Sequence, residues 1–412
     1  MTIILKLAWR SLWRNRRRTI ITVSSISLGT ALAVFLISMQ DGIYKKLIDD
    51  VVRMNSGYVT VEHRGYSKAP SIDLVVPSVE KIRRAAEDIP GAETVKALVL
   101  GQAMASTGSG SVGVGLVGVE PEVEQKLSPI VGAIRQGRYL KSSDERGALI
   151  GSTLADRLDL EPGMKLVVTG NDSSGELVNE MLRVKGIFTT CMEEADGYLI
   201  QVPIDTARRI YRLGKDEATQ VGLMLSSPDY QQQALTVLNK RLEDPDIHAF
   251  PWQDIMPDLA GFIAVDKGSL YVFQAIIIFL LSFTILNTIL MSVLERTREF
   301  ATLLALGTSP SVLRIQVVFE SVLLAILGTA AGLITGGGIS MYFAVHGLDM
   351  RAIAGEGFTI TGFLVEPVVY NHVSIELLSS LGGIVFLLTV IIGLYPAYKS
   401  ARIPLPDVLR SR

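Results

Sequence analysis

Apolar runs long enough to cross a bilayer constrain this chain more than any other feature. Ile20 to Met39 carries no charge, and about 20 helical residues suffice for a hydrocarbon core of about 30 Å. Three more such runs follow, Leu270 to Leu294, Val312 to Val345 and Leu377 to Tyr395. Lipid offers the backbone no hydrogen-bond partner, so each run is expected to be a helix. Between the first and second runs lies a stretch of about 190 residues in which short strand and helix patterns alternate. A mean hydropathy of +0.37 with 49% hydrophobic residues fits membrane spans plus a sizeable soluble domain. The expected fold class is an α-helical membrane protein with four transmembrane helices. A large extracytoplasmic α+β domain is inserted between helices 1 and 2.

The flanks of these runs give an orientation. Along Lys6 to Arg18, KLAWRSLWRNRRR, the residues Trp9, Leu12 and Trp13 share a helical face with the preceding Leu5 among cations, as in a helix lying in the membrane interface. Arg14, Arg16, Arg17 and Arg18 then place the amino terminus in the cytoplasm by the positive-inside rule. A cleaved signal peptide is the rival reading, but the run is long for one and no small-x-small site follows it. Helical spacing continues past Met39 through Ile43, Leu47, Val51 and Met54, which extends the first span as a stalk ending at Gly57. Trp252, Ile255, Leu259 and Phe262 suggest a second stalk leading into the second span. Arg296, Arg298, Arg314 and the cationic tail fall on the cytoplasmic side by the same count.

Within the soluble stretch, YVTVEH, Val95 to Met104, SVGVGLVGV, MLRVKGIF and GYLIQV read as strands. SVEKIRRAAEDIPG, IDTARRIYRL and DYQQQALTVLNKRLED read as helices. ALIGSTLADRLDLEPGMKLVVTG reads as a helix, a Pro-Gly turn and a strand. Gly108, Gly110 and Gly113 satisfy G-x-G-x-x-G, but an alternating strand pattern follows where a dinucleotide site needs a helix, so a hairpin turn is expected. The chain holds no phosphate-binding G-x-x-x-x-G-K-[ST] loop, and its four histidines lie far apart. A single cysteine, Cys191, excludes an internal disulfide and reads as a small buried thiol. No catalytic set, metal site, cofactor or nucleic-acid surface is expected.

Leu294 to Pro310, LERTREFATLLALGTSP, sits between two apolar runs and is itself helical in pattern. Phe300, Leu303, Leu304 and Leu306 are apolar, whereas Glu295, Arg296, Arg298 and Glu299 form a charged first half. Gly307 suits the C′ position, and Pro310 suits the start of the next helix. Such a helix either docks into a groove of another protein or lies on the lipid surface. In the third run Gly328, Gly332 and Gly336 recur every fourth residue, which either marks a close helix–helix contact or reflects ordinary glycine use in membrane helices. Glu320 is the carboxylate well inside that run, suited to a bond with a neighbouring helix, to snorkelling or to an ion relay.

The run Glu295, Arg296, Arg298, Glu299, Leu303, Ala305, Leu306, Gly307 resembles the cytoplasmic coupling segment of FtsX-like permeases, with Thr308 in place of the usual alanine. That family contains lipoprotein-releasing and macrolide-exporter transporters. The ending Tyr395, Pro396, Ala397, Ala401, Arg402, Leu409 and Arg410 is similar to the family's ending, with Pro404 and Pro406 straddling its single proline. ALIGSTLADRLDLEPGMKLVV, with the GIF and GYLIQVPIDTARRIYRLG that follow, resembles the periplasmic domain of lipoprotein-releasing permeases.

The resemblance implies the permease subunit of an ABC transporter in a cell inner membrane, multi-pass, with both termini cytoplasmic. It implies a separate ABC ATPase, which Glu295, Arg296, Arg298 and Glu299 would meet by charge and Leu303 and Leu306 would meet by filling a groove, with Gly307 closing the helix. It also implies a homodimer or a pair with a related permease, and a non-catalytic role. Lipoprotein cargo would have acyl chains near Met39, Ile43, Phe262 and Phe273, residues that equally suit plain packing. An efflux permease of macrolide-exporter type and a scaffold regulating a cell-wall hydrolase are the alternatives.

The division expected is an interfacial helix at 1–18, the first span and stalk at 19–56 and the outer domain at 57–250. A stalk and second span at 251–294, a coupling helix at 295–310 and a third span at 311–345 follow. An outer loop at 346–373, a fourth span at 374–396 and a tail at 397–412 complete it.

Overall fold

The computed structural model describes residues 2–190, 193–349, 359–360, 363–364 and 368–400. Cys191 and the tail residues Ala401, Arg402, Leu409 and Arg410 lie outside the described residues. The chain divides into two units, one built from the described parts of 45–262 and 353–367 and the other from those of 1–44, 263–352 and 368–412.

In chain order the elements begin with α1 (Thr2–Arg14) and α2 (Arg16–Met54). Then come β1 (Val59–His63), α3 (Val79–Glu87), β2 (Ala92–Thr107), β3 (Gly110–Val119), α4 (Pro121–Leu127), β4 (Ile134–Gly137) and β5 (Gly147–Gly151). They continue with α5 (Ser152–Leu158), β6 (Lys165–Asn171), β7 (Leu177–Phe188), α6 (Glu193–Asp196), β8 (Leu199–Pro203) and α7 (Ile204–Tyr211). β9 (Gln220–Leu225), α8 (Gln231–Arg241), β10 (Ile247–Pro251) and α9 (Trp252–Ile255) follow. The chain then runs through α10 (Pro257–Glu295), α11 (Thr297–Ala305), α12 (Pro310–His346) and α13 (Ile375–Ser400), with two-residue strands between the last two.

Four of these helices, α2, α10, α12 and α13, are long and apolar enough to cross a membrane. In the helical unit, Leu12, Ile26, Ile285, Ile289, Leu324 and Val385 bring α1, α2, α10, α12 and α13 to one buried apolar cluster. On α1 the buried face is Ala8, Ser11 and Leu12, whereas Trp9 and Trp13 point away from it, about half exposed. The expected single face of tryptophans and leucine is therefore split, because the small residues turn towards the bundle and the bulky amphipathic ones away from it.

The sheet unit is one hydrogen-bonded network of ten strands in the order β10-β1-β9-β2-β3-β8-β5-β7-β4, with β6 joining β2 to β7. β3 with β8 and β5 with β7 are parallel, and the other pairs are antiparallel. The Gly108–Ser109 step links β2 to β3 as a hairpin in the register Thr107↔Gly110, so the glycine motif opens a strand. On α3 the buried residues are Val79, Ile82 and Ala86, spaced as one helical stripe.

Two readings change. Gly147–Gly151 is a strand and not the start of a helix, and all five residues are buried between β7 and β8. A short apolar run covered on both faces has no period by which to distinguish the two states. Trp252 also does not begin a continuous second stalk. α9 ends at Ile255, Met256 is non-helical, and Pro257, which lacks the N–H that a helix interior needs, opens α10.

The carboxyl end of α2 is fastened to the sheet. Gly57, at φ +97°, donates its N–H to the Val52 carbonyl, and the Tyr58 N–H bonds the Leu223 carbonyl at 3.0 Å. Lys96 on β2 is fully buried and donates to the Arg53 carbonyl and to the Glu124 carboxylate, each at 2.8 Å. Burial holds the Lys96 ammonium below the ordinary lysine range, and the Glu124 charge offsets part of that effect.

Candidate functional site

The segment Leu294–Pro310 is three pieces and not one helix. Glu295 ends α10, Arg296 sits at the joint, and α11 spans Thr297–Ala305. Gly307, at φ +93°, donates its N–H to the Leu304 carbonyl, and the Thr308 N–H goes to the Leu303 carbonyl, each at 3.0 Å. This is the paired closure of a Schellman motif, and it needs the left-handed conformation that glycine adopts without strain. Pro310 then starts α12 at its first turn.

α11 is amphipathic. Phe300 and Ala301 are completely buried, and Phe300 and Leu304 pack with Val293, Leu313, Val317 and Ala397. Leu303 and Leu306 face away, 38% and 78% exposed. Arg298 is exposed on the same helix.

The charged half of the segment is joined into a ladder that reaches α1 and α12. Nη1 of Arg296 donates to the Glu320 carboxylate at 2.7 Å and to the Ser11 hydroxyl at 2.6 Å. Its Nε donates to Glu299 at 3.2 Å, and the guanidinium lies 4.9 Å from the centre of the Phe300 ring. Glu299 in turn receives Nη2 of Arg14 on both oxygens, at 2.7 and 2.6 Å. Hydrogen bonds from Arg14 first, and then from Arg296, hold the Glu299 carboxyl below its usual range, so it stays ionised through neutral pH. Arg18 approaches Glu295 at 3.5 Å. A narrow space lined by Arg18, Thr19, Thr22, Thr288 and Glu320 on one side and by Leu12, Ile289 and Leu324 on the other adjoins the ladder.

The sequence placed Arg296 on the surface offered to a partner, but its side chain is only 11% exposed and that of Glu320 only 7%. Of the three roles open to Glu320, the structure has it bonded to a neighbouring element. Among the described residues no group of three or more His, Cys, Asp or Glu could hold a metal ion.

Further along α12 the glycine row lies directly on α2. A Cβ at Gly328 would meet that of Ile26 at 2.7 Å, one at Gly332 would meet Thr30 Cβ at 2.5 Å, and one at Gly336 would meet Ala31 Cα at 2.7 Å. Ser340, one turn further, exchanges a 2.8 Å hydrogen bond with Ser38 of α2.

Two family descriptions match, and between them they take in most of the chain. "FtsX-like permease C-terminal" matches residues 271–405, and "MacB-like periplasmic core domain" matches residues 19–240. The chain belongs to the FtsX-like, MacB-type family of ABC transporter permeases.

This permease is 22% identical over 404 residues to the lipoprotein-releasing system transmembrane protein LolC of Neisseria meningitidis serogroup B, covering 95% of this chain and 94% of that one. It is 20% identical over 398 residues to the lipoprotein-releasing system transmembrane protein LolE of Haemophilus influenzae, covering 94% and 92%. The macrolide export ATP-binding/permease protein MacB of Chlorobium luteolum is 26% identical over 435 residues, covering 98% of this chain and 59% of that one.

The residues proposed for cargo are distributed over two helices of the permease. Met39 and Ile43 are partly buried on α2, Phe273 is 67% exposed on α10, and Phe262 belongs to the sheet unit. Sequence reasoning missed what ties α2 to α10 beside them. Asp266 accepts hydrogen bonds from Gln40 at 2.9 Å and from the Tyr44 hydroxyl, while Lys267 lies over the Tyr44 ring. The signal available was the charged pair Asp266–Lys267 one turn past Phe262, just ahead of the apolar run from Leu270, but no spacing named its partners.

Proposed function

We propose that this permease couples a separate ABC ATPase to release of lipid-anchored protein from an inner membrane. The reading is carried by the likeness to LolC, which runs through 95% of this chain. On this reading α11 is the cytoplasmic coupling helix, and Leu303 and Leu306 fill a groove on the ATPase. Glu299 and Arg298 sit at the polar rim, where charge-assisted bonds give orientation.

ATP-driven closure of the ATPase would displace α11. The helices α2 and α10, each continuous for 39 residues, would carry that movement to the extracytoplasmic sheet unit as a rigid-body or shear transition. Four spans leave little room for an enclosed pathway, so two copies, or this chain with a related permease, would work together. Acyl chains would lie along α2 and α10 near Met39, Ile43 and Phe273, with Phe262 beyond. The second reading is efflux, favoured by the MacB-like core match and by the MacB relative.

The test is capture of a tagged permease in mild detergent, with mass spectrometry of what it retains, for wild type and for Leu303→Asp with Leu306→Asp. The expected result is a P-loop ATPase with lipoproteins on the wild type, and loss of the ATPase from the variant. A membrane-fusion partner without lipoproteins would favour efflux, and a murein hydrolase would favour the scaffold role. Wild type retaining no ATPase would overturn the coupling reading.

A further inference from the structure

We propose that Arg296 is a positioning residue that clamps the coupling helix to the third span and to the amino-terminal helix, leaving only the Leu303–Leu306 side of α11 for the partner. This inference rests on the coupling reading above, although the clamp itself is a matter of local geometry.

Arg296 stands at the single non-helical joint between α10 and α11. Phe300 and Leu304 seat α11 in the bundle, but such a joint leaves it free to rock about that contact. One guanidinium removes this freedom by bonding three elements at once, Ser11 of α1, Glu320 of α12 and Glu299 of α11. The face of Phe300 supports its plane. Arg14 adds a second tie from α1 to Glu299 on the exposed rim.

The forked, planar group is suited to this task, since a lysine ammonium cannot address several partners in fixed directions. A buried ion pair contributes little net stability, because desolvation offsets the attraction. What it supplies is a single allowed arrangement. A push delivered to Leu306 then reaches α12 and α1 without being absorbed at the joint.

The alternative is that Arg296 meets the ATPase directly. That requires it to leave Glu320, a carboxylate with a 7% exposed side chain that would lose its hydrogen-bonded cation and keep only Arg18 across the adjoining space.

The clamp is tested by the reactivity of an Ala301→Cys thiol in a Cys191→Ser background, using the full chain in membranes. Ala301 is fully buried beneath α11, so its thiol reports release of the helix. Arg296→Gln and Glu320→Gln are each expected to raise maleimide reactivity about tenfold. The two changes together should raise it no further than either alone, because they cut the same link. Capture of the ATPase through Leu303 and Leu306 should persist in Arg296→Gln, while stimulation of its ATP turnover by the permease is lost.

Unchanged thiol reactivity in both single variants overturns the proposal. So does loss of capture with the thiol still protected, which would make Arg296 a docking residue. If Arg296→Gln does not accumulate, Glu320→Gln alone decides by the same readout. A wild type that captures no ATPase defeats the coupling reading, and the thiol measurement still decides the clamp.

Discussion

At the level of single residues, Lys96 and Glu124 form an ion pair within the sheet unit, joining β2 to α4. Both are buried, and the lysine also holds the Arg53 carbonyl near the end of α2. Glu124 Oε2 has no hydrogen-bond partner among the described residues. Removing the lysine alone leaves a buried carboxylate without its cation, and Lys96→Met is expected to destabilise the sheet unit by about 3–5 kcal/mol. Lys96→Met with Glu124→Leu removes both charges and should recover most of that loss. The double variant still lacks the bond to Arg53, so amide hydrogen exchange should quicken locally at residues 50–57 while β5 and β7 stay protected. A double variant as unstable as the single one would show that the pair contributes more than mutual neutralisation. The sequence hid this because a lysine in a strand reads as solvent-facing, and its partner lies 28 residues away.

At the level of elements, legibility followed how local the cause was. Gly307 marked the end of α11 and Pro310 the start of α12 from the sequence, because helix ends are decided within a few residues, by φ > 0 at one and a missing N–H at the other. Val79, Ile82 and Ala86 announced the buried stripe of α3 by period alone. Gly147–Gly151 did not announce a strand, since its state depends on β7 and β8 on either side. Arg296 was visible as a charge but not as a clamp, because Glu320 lies on the next helix.

The glycine row on α12 falls between these cases. Its spacing indicated a close approach, and only the structure supplies α2 as the neighbour. Gly332→Leu would drive Cβ against Thr30 and against the Ser27 carbonyl at 2.8 Å, backbone that cannot turn aside. It should destabilise the helical unit by about 1–3 kcal/mol. Gly338, whose Cβ would meet nothing within 4 Å, is the control on the same helix, and Gly338→Leu should be close to neutral. Thermal unfolding of both variants in one detergent makes the comparison, and equal losses would remove the α2–α12 contact as the cause.

At the level of the whole molecule, the proposed mechanism depends on which side of the membrane each unit meets. The charges give one answer. Arg14, Arg16 and Arg17 around the start of α2, Arg298 on α11 and Arg314 in the first turns of α12 are all exposed, and cations gather on the cytoplasmic side of spans. With that end inside, α10 would return the chain to the cytoplasm and the sheet unit would lie outside. Ser173, in the turn between β6 and β7, and Thr302, on α11, are exposed positions separated by α10 as the single candidate span. In a Cys191→Ser background, Ser173→Cys should react with a membrane-impermeant maleimide on intact spheroplasts. Thr302→Cys should react only after the membrane is opened. The reverse pattern would put α11 beyond the reach of any cytoplasmic ATPase and end the coupling mechanism, whatever the family likeness. Labelling of both from outside would mean that α10 does not cross. Its 39 residues would then need a different apolar neighbour, because a helix so long and so exposed along its apolar length is stable in water only when something covers it.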